Sequence, residues 1–212
     1  MGRTSDADQR LMDAALALMW EESYGAVTID HICQRASVKK GSFYYFFKSK
    51  AELAVAALEK LWQEEWKPAL DRCFSPSVDP LDRLTTYFGS IYDRQMAIKT
   101  RYGKVLGCPV CSVGSEVSTQ EVDVSAAIRD IMTRKRRYYE SAIRDASAQG
   151  VIEPRDAAQG AAALAALIEG LVSQARIMND PEVLRQLPDM ALGLLRVKGK
   201  SSSPVSPALV SA

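Results

Sequence analysis

An all-α fold is predicted by three observations. Apolar residues recur at helical spacing in run after run: Leu11, Ala14, Ala15 and Leu18; Leu53, Ala57 and Leu61; Leu164, Leu167, Ile168 and Leu171; Leu187, Met190, Ala191 and Leu194. No stretch alternates apolar and polar residues for long enough to compete as a strand. Turn-forming clusters fall between the runs, at Ser75-Pro-Ser-Val-Asp-Pro80, Gly107-Cys-Pro109, Gly150 and Asn179-Asp-Pro181. Composition agrees with a packed chain: of 212 residues, 47% are apolar, which is too many for a disordered polymer.

About nine helices are expected in order. The first three occupy 7–23, 28–36 and 42–46. Thr28 caps the second, which carries Ile29, Ile32 and Ala36 on one face. Ser37 to Gly41 is too short and polar for anything but a tight turn, after which Gly41 or Ser42 starts the third. The fourth helix spans 50–66. Longer ones follow at 79–101, 109–118, 121–149, 155–178 and 181–197. Pro109 suits the first position of its helix. The stretch Lys198-Gly-Lys-Ser-Ser-Ser-Pro-Val-Ser-Pro is Ser/Pro-rich and reads as a disordered tail. The domains expected are therefore 1–50, 51–197 and the tail 198–212.

Several function classes lose ground on composition. The longest apolar run in the second half, Ala161 to Ile168, ends at Glu169. It is far short of the roughly 20 residues of a membrane span, so no membrane partner is expected. The N-terminal residues form no apolar signal core, and Asp6 breaks a myristoylation pattern. A cytoplasmic protein is expected. Four cysteines (Cys33, Cys73, Cys108, Cys111) in so long a chain do not suggest a disulfide scaffold. His31 is the single histidine, which disfavours triad hydrolases and two-histidine zinc sites. No catalytic residue, metal or cofactor is expected.

Two short helices joined by a tight turn make a helix-turn-helix, whose second helix can enter the major groove of DNA. The 27 Lys and Arg nearly balance 26 Asp and Glu overall. Locally they do not: Arg35, Lys39, Lys40, Lys48 and Lys50 fall in one stretch with no acidic residue. Such a patch neutralises phosphates.

Thr28, Ile29, Ile32, Ala36, Val38, Lys40, Gly41, Ser42, Phe43, Tyr44, Phe47 and Lys50 stand at fixed spacing. In this the segment resembles the DNA-binding domain of TetR-family transcriptional regulators. The resemblance implies that Lys39, Lys40, Gly41 and Ser42 begin the reading helix and face base edges. It implies phosphate contacts for Thr28, Tyr44, Tyr45 and Lys50, with Arg3 as a candidate minor-groove arm. Ile29, Ile32, Ala36, Val38, Phe43 and Phe47 are expected in the core, and His31 is assigned no chemistry. The resemblance further implies a homodimer built on the last two helices, a partly palindromic operator in double-stranded DNA, and a small-molecule effector held by the middle helices. Trp66, Tyr87, Phe88, Tyr92, Tyr102, Tyr138 and Tyr139 are the candidates for that pocket, and plain core is the alternative for each.

The stretch Gly107-Cys-Pro-Val-Cys-Ser-Val-Gly-Ser-Glu116 is similar to one found in a TetR subgroup associated with small electrophiles and oxidants. Cys111 departs from it, standing where Gly is usual. Cys108 would cap the helix that Pro109 opens, near unpaired amides and the positive end of the helix dipole, which favours a thiolate. Cys111, three residues on, shares its face and could resolve an oxidised Cys108 as a disulfide. Cys108 and Cys111 are thus candidate sensor residues, with buried apolar cysteine as the alternative, and Cys33 and Cys73 are expected to be structural. A ligand- or redox-responsive regulator, most simply a repressor, is the leading expectation. A thiol oxidoreductase using Cys108 and Cys111 and a DNA-binding protein without a ligand are the alternatives.

Overall fold

The computed structural model describes residues 6–117 and 119–198. Arg3 and the tail from residue 199 lie outside the described residues. The described chain is helical: α1 (Ala7–Glu21), α2 (Ile29–Ala36), α3 (Lys40–Phe46), α4 (Lys50–Leu61), α5 (Lys67–Cys73), α6 (Pro80–Tyr102), α7 (Pro109–Val117), α8 (Val122–Ala148), α9 (Ala157–Ile177) and α10 (Leu187–Leu194). The sole β pairing among the described residues is an isolated bridge, Ile152 with Val197.

Local chemistry sets the starts. Thr28 Oγ1 accepts the His31 amide at 3.2 Å, and Ser49 Oγ accepts that of Glu52 at 3.1 Å. Asp79 and Asp156 cap α6 and α9 in the same way. Ser37 closes α2 in the left-handed conformation at φ 53°, and its neighbour Val38 donates back to Cys33 O at 2.9 Å. The turn is then complete by Lys39, so α3 begins at Lys40, earlier than the residue 42 expected.

Two rods differ from their sequence reading. The fourth does not stop at 66: it widens into a π-helical turn (Trp62–Trp66) and continues as α5. Pro68 has no N–H and its ring crowds the carbonyl four residues back, so the turn before it opens rather than ends. The last rod begins as a 3₁₀ stretch (Pro181–Gln186) before α10. Counting each as one rod gives the nine expected.

The helix-turn-helix, α1 to α3, closes over Leu11, Leu18, Ile32, Phe43 and Phe47, all in the core with the start of α4. The larger helical part packs α8 against α4, α6 and α9. Its centre is an aromatic cluster of Phe74, Tyr87, Phe88 and Tyr139, with ring centroids 5.4–5.8 Å apart along its edges. By length and hydropathy α9 could cross a bilayer. Its face of Leu164, Ile168, Leu171, Val172 and Ala175 is instead buried in the protein core.

Candidate functional site

The first site is the outer face of α3. Lys39, Lys40 and Gly41 are exposed at its start and Ser42 is half-buried. Nothing lies within 4 Å of where a Gly41 side chain would begin, so the backbone is open to a close partner. Tyr44 and Tyr45 are 53% and 83% exposed, although Phe43 and Phe47 beside them are buried. This division is the helical period of the segment: the buried rings anchor the face that the tyrosines share.

The basic residues are not equivalent. Lys40 Nζ pairs with Asp30 at 2.8 Å, and that hydrogen bond raises its pKa. Lys39 and Lys48 make no side-chain ion pair among the described residues. Lys50, expected at a phosphate, points inward: its Nζ donates to Tyr24 O at 2.9 Å and Val27 O at 3.0 Å, over the Tyr24 ring. It ties α4 to the loop before α2, which leaves at most one of its three protons for another partner. Thr28 is exposed, and its hydroxyl is engaged in its cap.

The second site is a cavity of about 350 Å³ between α1, the π-helical turn, α6, α7, α8 and α9. Trp66, Tyr87, Cys108 and Cys111 line it. Tyr92, Tyr102 and Tyr138, expected there, do not. Tyr92 donates to Glu182 at 2.8 Å, Tyr102 stacks edge-on against Trp20 at 6.4 Å, and Tyr138 donates to Asp71 at 2.5 Å in a separate outer groove. Tyr92 is one residue past Ile91 of the wall and so turned off its face, whereas Tyr102 and Tyr138 keep the helical phase of Gln95 and Lys135 but lie two turns and one turn farther along α6 and α8. Phe88 and Tyr139 are core, at 0% and 1% exposure.

Sequence reasoning missed the polar part of the lining, along with apolar wall residues such as Leu16, Trp20, Ile91 and Ile168. Buried Gln95 bonds both ways with Gly107, donating to its carbonyl and accepting its amide, each at 3.1 Å. Gly107 has φ +72°, and a side chain there would press on Arg176. This clamp fixes the chain just before Cys108. Lys135 of α8 lies 5.3 Å over the Trp66 ring, and Glu169 of α9 also lines the wall. Burial raises the Glu169 pKa against the pull of Lys135 and Arg136. Lys135 stands in the basic run Arg134-Lys-Arg-Arg137.

Cys108 caps α7 as expected: its Sγ accepts the Cys111 amide at 3.5 Å. The Cys111 thiol, donating to it, and the nearby Lys135 ammonium outweigh burial and bring the Cys108 pKa down to about 6. The same contact, with burial, raises that of Cys111. Both cysteines are half-buried and unlinked. Among the described residues no group of three metal-ligating side chains occurs.

The cavity is wired to the helix-turn-helix half. Glu116, at the other end of α7, accepts the amides of Tyr24 at 2.7 Å and Gly25 at 2.6 Å, in the loop between α1 and α2. Trp20 Nε1 donates to Leu106 O at 3.0 Å, and Lys104 Nζ to Glu21 O at 3.0 Å. The segment bearing the thiols is thus fastened to the end of α1 at three points.

Comparison with known proteins bears on both halves. Residues 11–57 match the family model described as bacterial regulatory proteins, tetR family. Residues 80–190, just over half of the chain, match the tetracyclin repressor-like C-terminal domain. The transcriptional regulator AcuR of Cereibacter sphaeroides is 33% identical over 145 residues, 68% of this chain and 64% of that protein. The transcriptional repressor NemR of Escherichia coli is 24% identical over 123 residues, 58% of this chain and 60% of its own length. These alignments span a little under two thirds of the curated relatives. A solved TetR regulatory protein from Rhodobacter sphaeroides superimposes with a TM-score of 0.77 at 28% identity, covering 88% of this chain and 97% of that one. The reduced form of E. coli NemR gives 0.79 at 22%, covering 92% and 100%. These relatives are named as regulators of transcription, not as thiol oxidoreductases, and the chain belongs to the TetR family of bacterial transcriptional regulators.

Proposed function

We propose that the protein is a cytoplasmic, dimeric repressor that binds a partly palindromic operator and is released when a small effector or a thiol reagent acts in the α6–α9 cavity. The observation that carries this reading is the double role of α7: its first turn bears Cys108 in the cavity wall, and its last turn bears Glu116 on the α1–α2 loop. A ligand that displaces the head of α7 biases its far end and with it the spacing of two reading helices. This is a population shift between two dimer geometries, and its size is set by the ligand's differential affinity for them.

The operator contacts follow from exposure. Lys39, Lys40, Gly41 and Ser42 lead α3 into the major groove, and Tyr44, Tyr45 and the Thr28 turn meet phosphates. Lys50 positions α4 against the Tyr24–Val27 loop and contributes to phosphate binding only secondarily. The dimer surface is the outer side of α9 and α10, where Ile177, Met178, Met190 and Leu194 are 81%, 69%, 41% and 37% exposed. Two copies place two reading helices on successive major grooves, which one copy cannot do.

The test is selection of bound duplexes from a random DNA pool, with reduced protein and with protein treated with a thiol reagent. A palindrome enriched from the reduced protein and absent from the treated one is expected. No palindrome in either arm overturns the operator reading. An equal palindrome in both arms removes the thiol route and leaves a non-covalent effector.

A further inference from the structure

Cys108 and Cys111 stand three residues apart on α7, one helical face, with the Cys111 amide on Cys108 Sγ at 3.5 Å. Both line the 350 Å³ cavity, and both line a second one of about 280 Å³ on the α1 side. The pair is therefore a wall reached from two directions. A reagent that attacks one thiol needs only Cys108 and gives Cys111 no part. A tetrahedral zinc ion needs four ligands, and among the described residues no three His, Cys, Asp or Glu side chains are grouped so that they could hold one ion. A linear two-sulfur ion would force the paired thiols apart. What fits is a soft centre that takes two sulfurs from one side and carries an apolar group of its own.

We infer that the cavity takes trivalent aryl-arsenicals, chelated by Cys108 and Cys111 together with the aryl group against Trp66 and Tyr87. An aryl-arsonous acid, bearing one aryl group and two hydroxyls on arsenic, meets the two thiols. Two As–S bonds form and two As–O bonds break. The two thiol protons leave with the hydroxyls as two waters. Arsenic stays trivalent, and nothing is oxidised or reduced. The depressed Cys108 pKa supplies the first attacking thiolate, and closure by Cys111 makes the adduct a ring. The inference deepens the reading of this cavity as the effector site, and its consequence for DNA release rests on that reading.

The experiment uses the full chain, reduced, with phenylarsine oxide as probe. Intact mass is followed in excess 2-mercaptoethanol and then in 2,3-dimercaptopropanol. One aryl-arsenic group gained with two protons lost, retained against the monothiol and released by the dithiol, is the expected result. Retention should be lost in Cys108→Ser and in Cys111→Ser, and kept in Cys33→Ser and Cys73→Ser. Stripping by the monothiol in the wild type, or full retention in Cys111→Ser, overturns the chelate. Circular dichroism of each variant establishes that it is folded. Operator release is read separately, with N-ethylmaleimide in a parallel arm. Release by the maleimide without a chelate sinks this inference alone, whereas a chelate that never releases the operator sinks the effector reading and leaves the site.

Discussion

Three separate features converge on the sulfur of Cys108. The Gln95–Gly107 clamp fixes the chain before it, Pro109 opens the helix after it, and Cys111 and Lys135 stabilise its anion. Its pKa lies near 6, against an ordinary value of 9, so its thiolate is the main form at neutral pH. The folded state therefore gains stability from this group above the unfolded pKa, and loses that gain as pH falls through about 6. Alkylation by iodoacetamide, followed as rate against pH at the Cys108 peptide, should show its inflection near 6. Cys111→Ala, which removes the larger stabilising contact, should move the inflection upward further than Lys135→Met. An inflection in the ordinary thiol range for the wild type would refute this account.

At the scale of elements, α7 is the strut and Glu116 its far joint. A charged hydrogen bond of this kind is worth about 1.5–3 kcal/mol, and Glu116 makes two, to Tyr24 and Gly25. Gly25 matters for a steric reason: a side chain there would begin 2.7 Å from Glu116 Oε1. Glu116→Ala and Gly25→Ala should each lower thermal stability by about 1–3 kcal/mol. Because both break one joint, the double variant should cost little more than the worse single one. Additive losses in urea melts would mean that the two residues act apart. The π-helical turn is a second element set by one residue. Pro68 opens it, and its widened backbone carries Glu65 and Trp66 onto the cavity wall. The sequence reading stops this rod at 66, two residues before Pro68. Tertiary packing of Leu70 and Phe74 repays the continuation.

For the whole molecule, the question is what buries the outer side of α9 and α10. Ile177 at the end of α9 and Met178 after it are largely exposed, and large apolar groups there are costly unless covered. Ile177→Glu with Leu194→Glu should convert a dimer to a monomer in sedimentation velocity while the helical circular dichroism stays intact. Operator affinity should fall with it, since each half-site then binds alone. The wild type sedimenting as a monomer at micromolar concentration would overturn the dimer reading. Lys39 and Lys40 belong to this scale as well, because phosphate contacts act through salt. Lys39→Ala should flatten the salt dependence of operator binding by about one unit of slope, while Lys40→Ala, already paired to Asp30, should flatten it less. Equal slopes for wild type and Lys39→Ala would remove Lys39 from the phosphate contacts.

The sequence by itself determined the all-helical class, the helix-turn-helix, the family and the thiol cap at Cys108. Each of these is written in local order: a period, a capping residue, a proline, a fixed spacing. Tertiary structure decided everything that depends on which helical faces meet. It placed Trp66 and Tyr87 in the cavity wall and turned Tyr92, Tyr102 and Tyr138 elsewhere, although all five are aromatic residues on helices. It turned Lys50 inward to two carbonyls, and it brought Gln95, Lys135 and Glu169 from three helices to the cysteines. Glu116 stands in a motif legible in the sequence, but its partners lie 91 and 92 residues away. A period says which residues share a face; only packing says what that face touches.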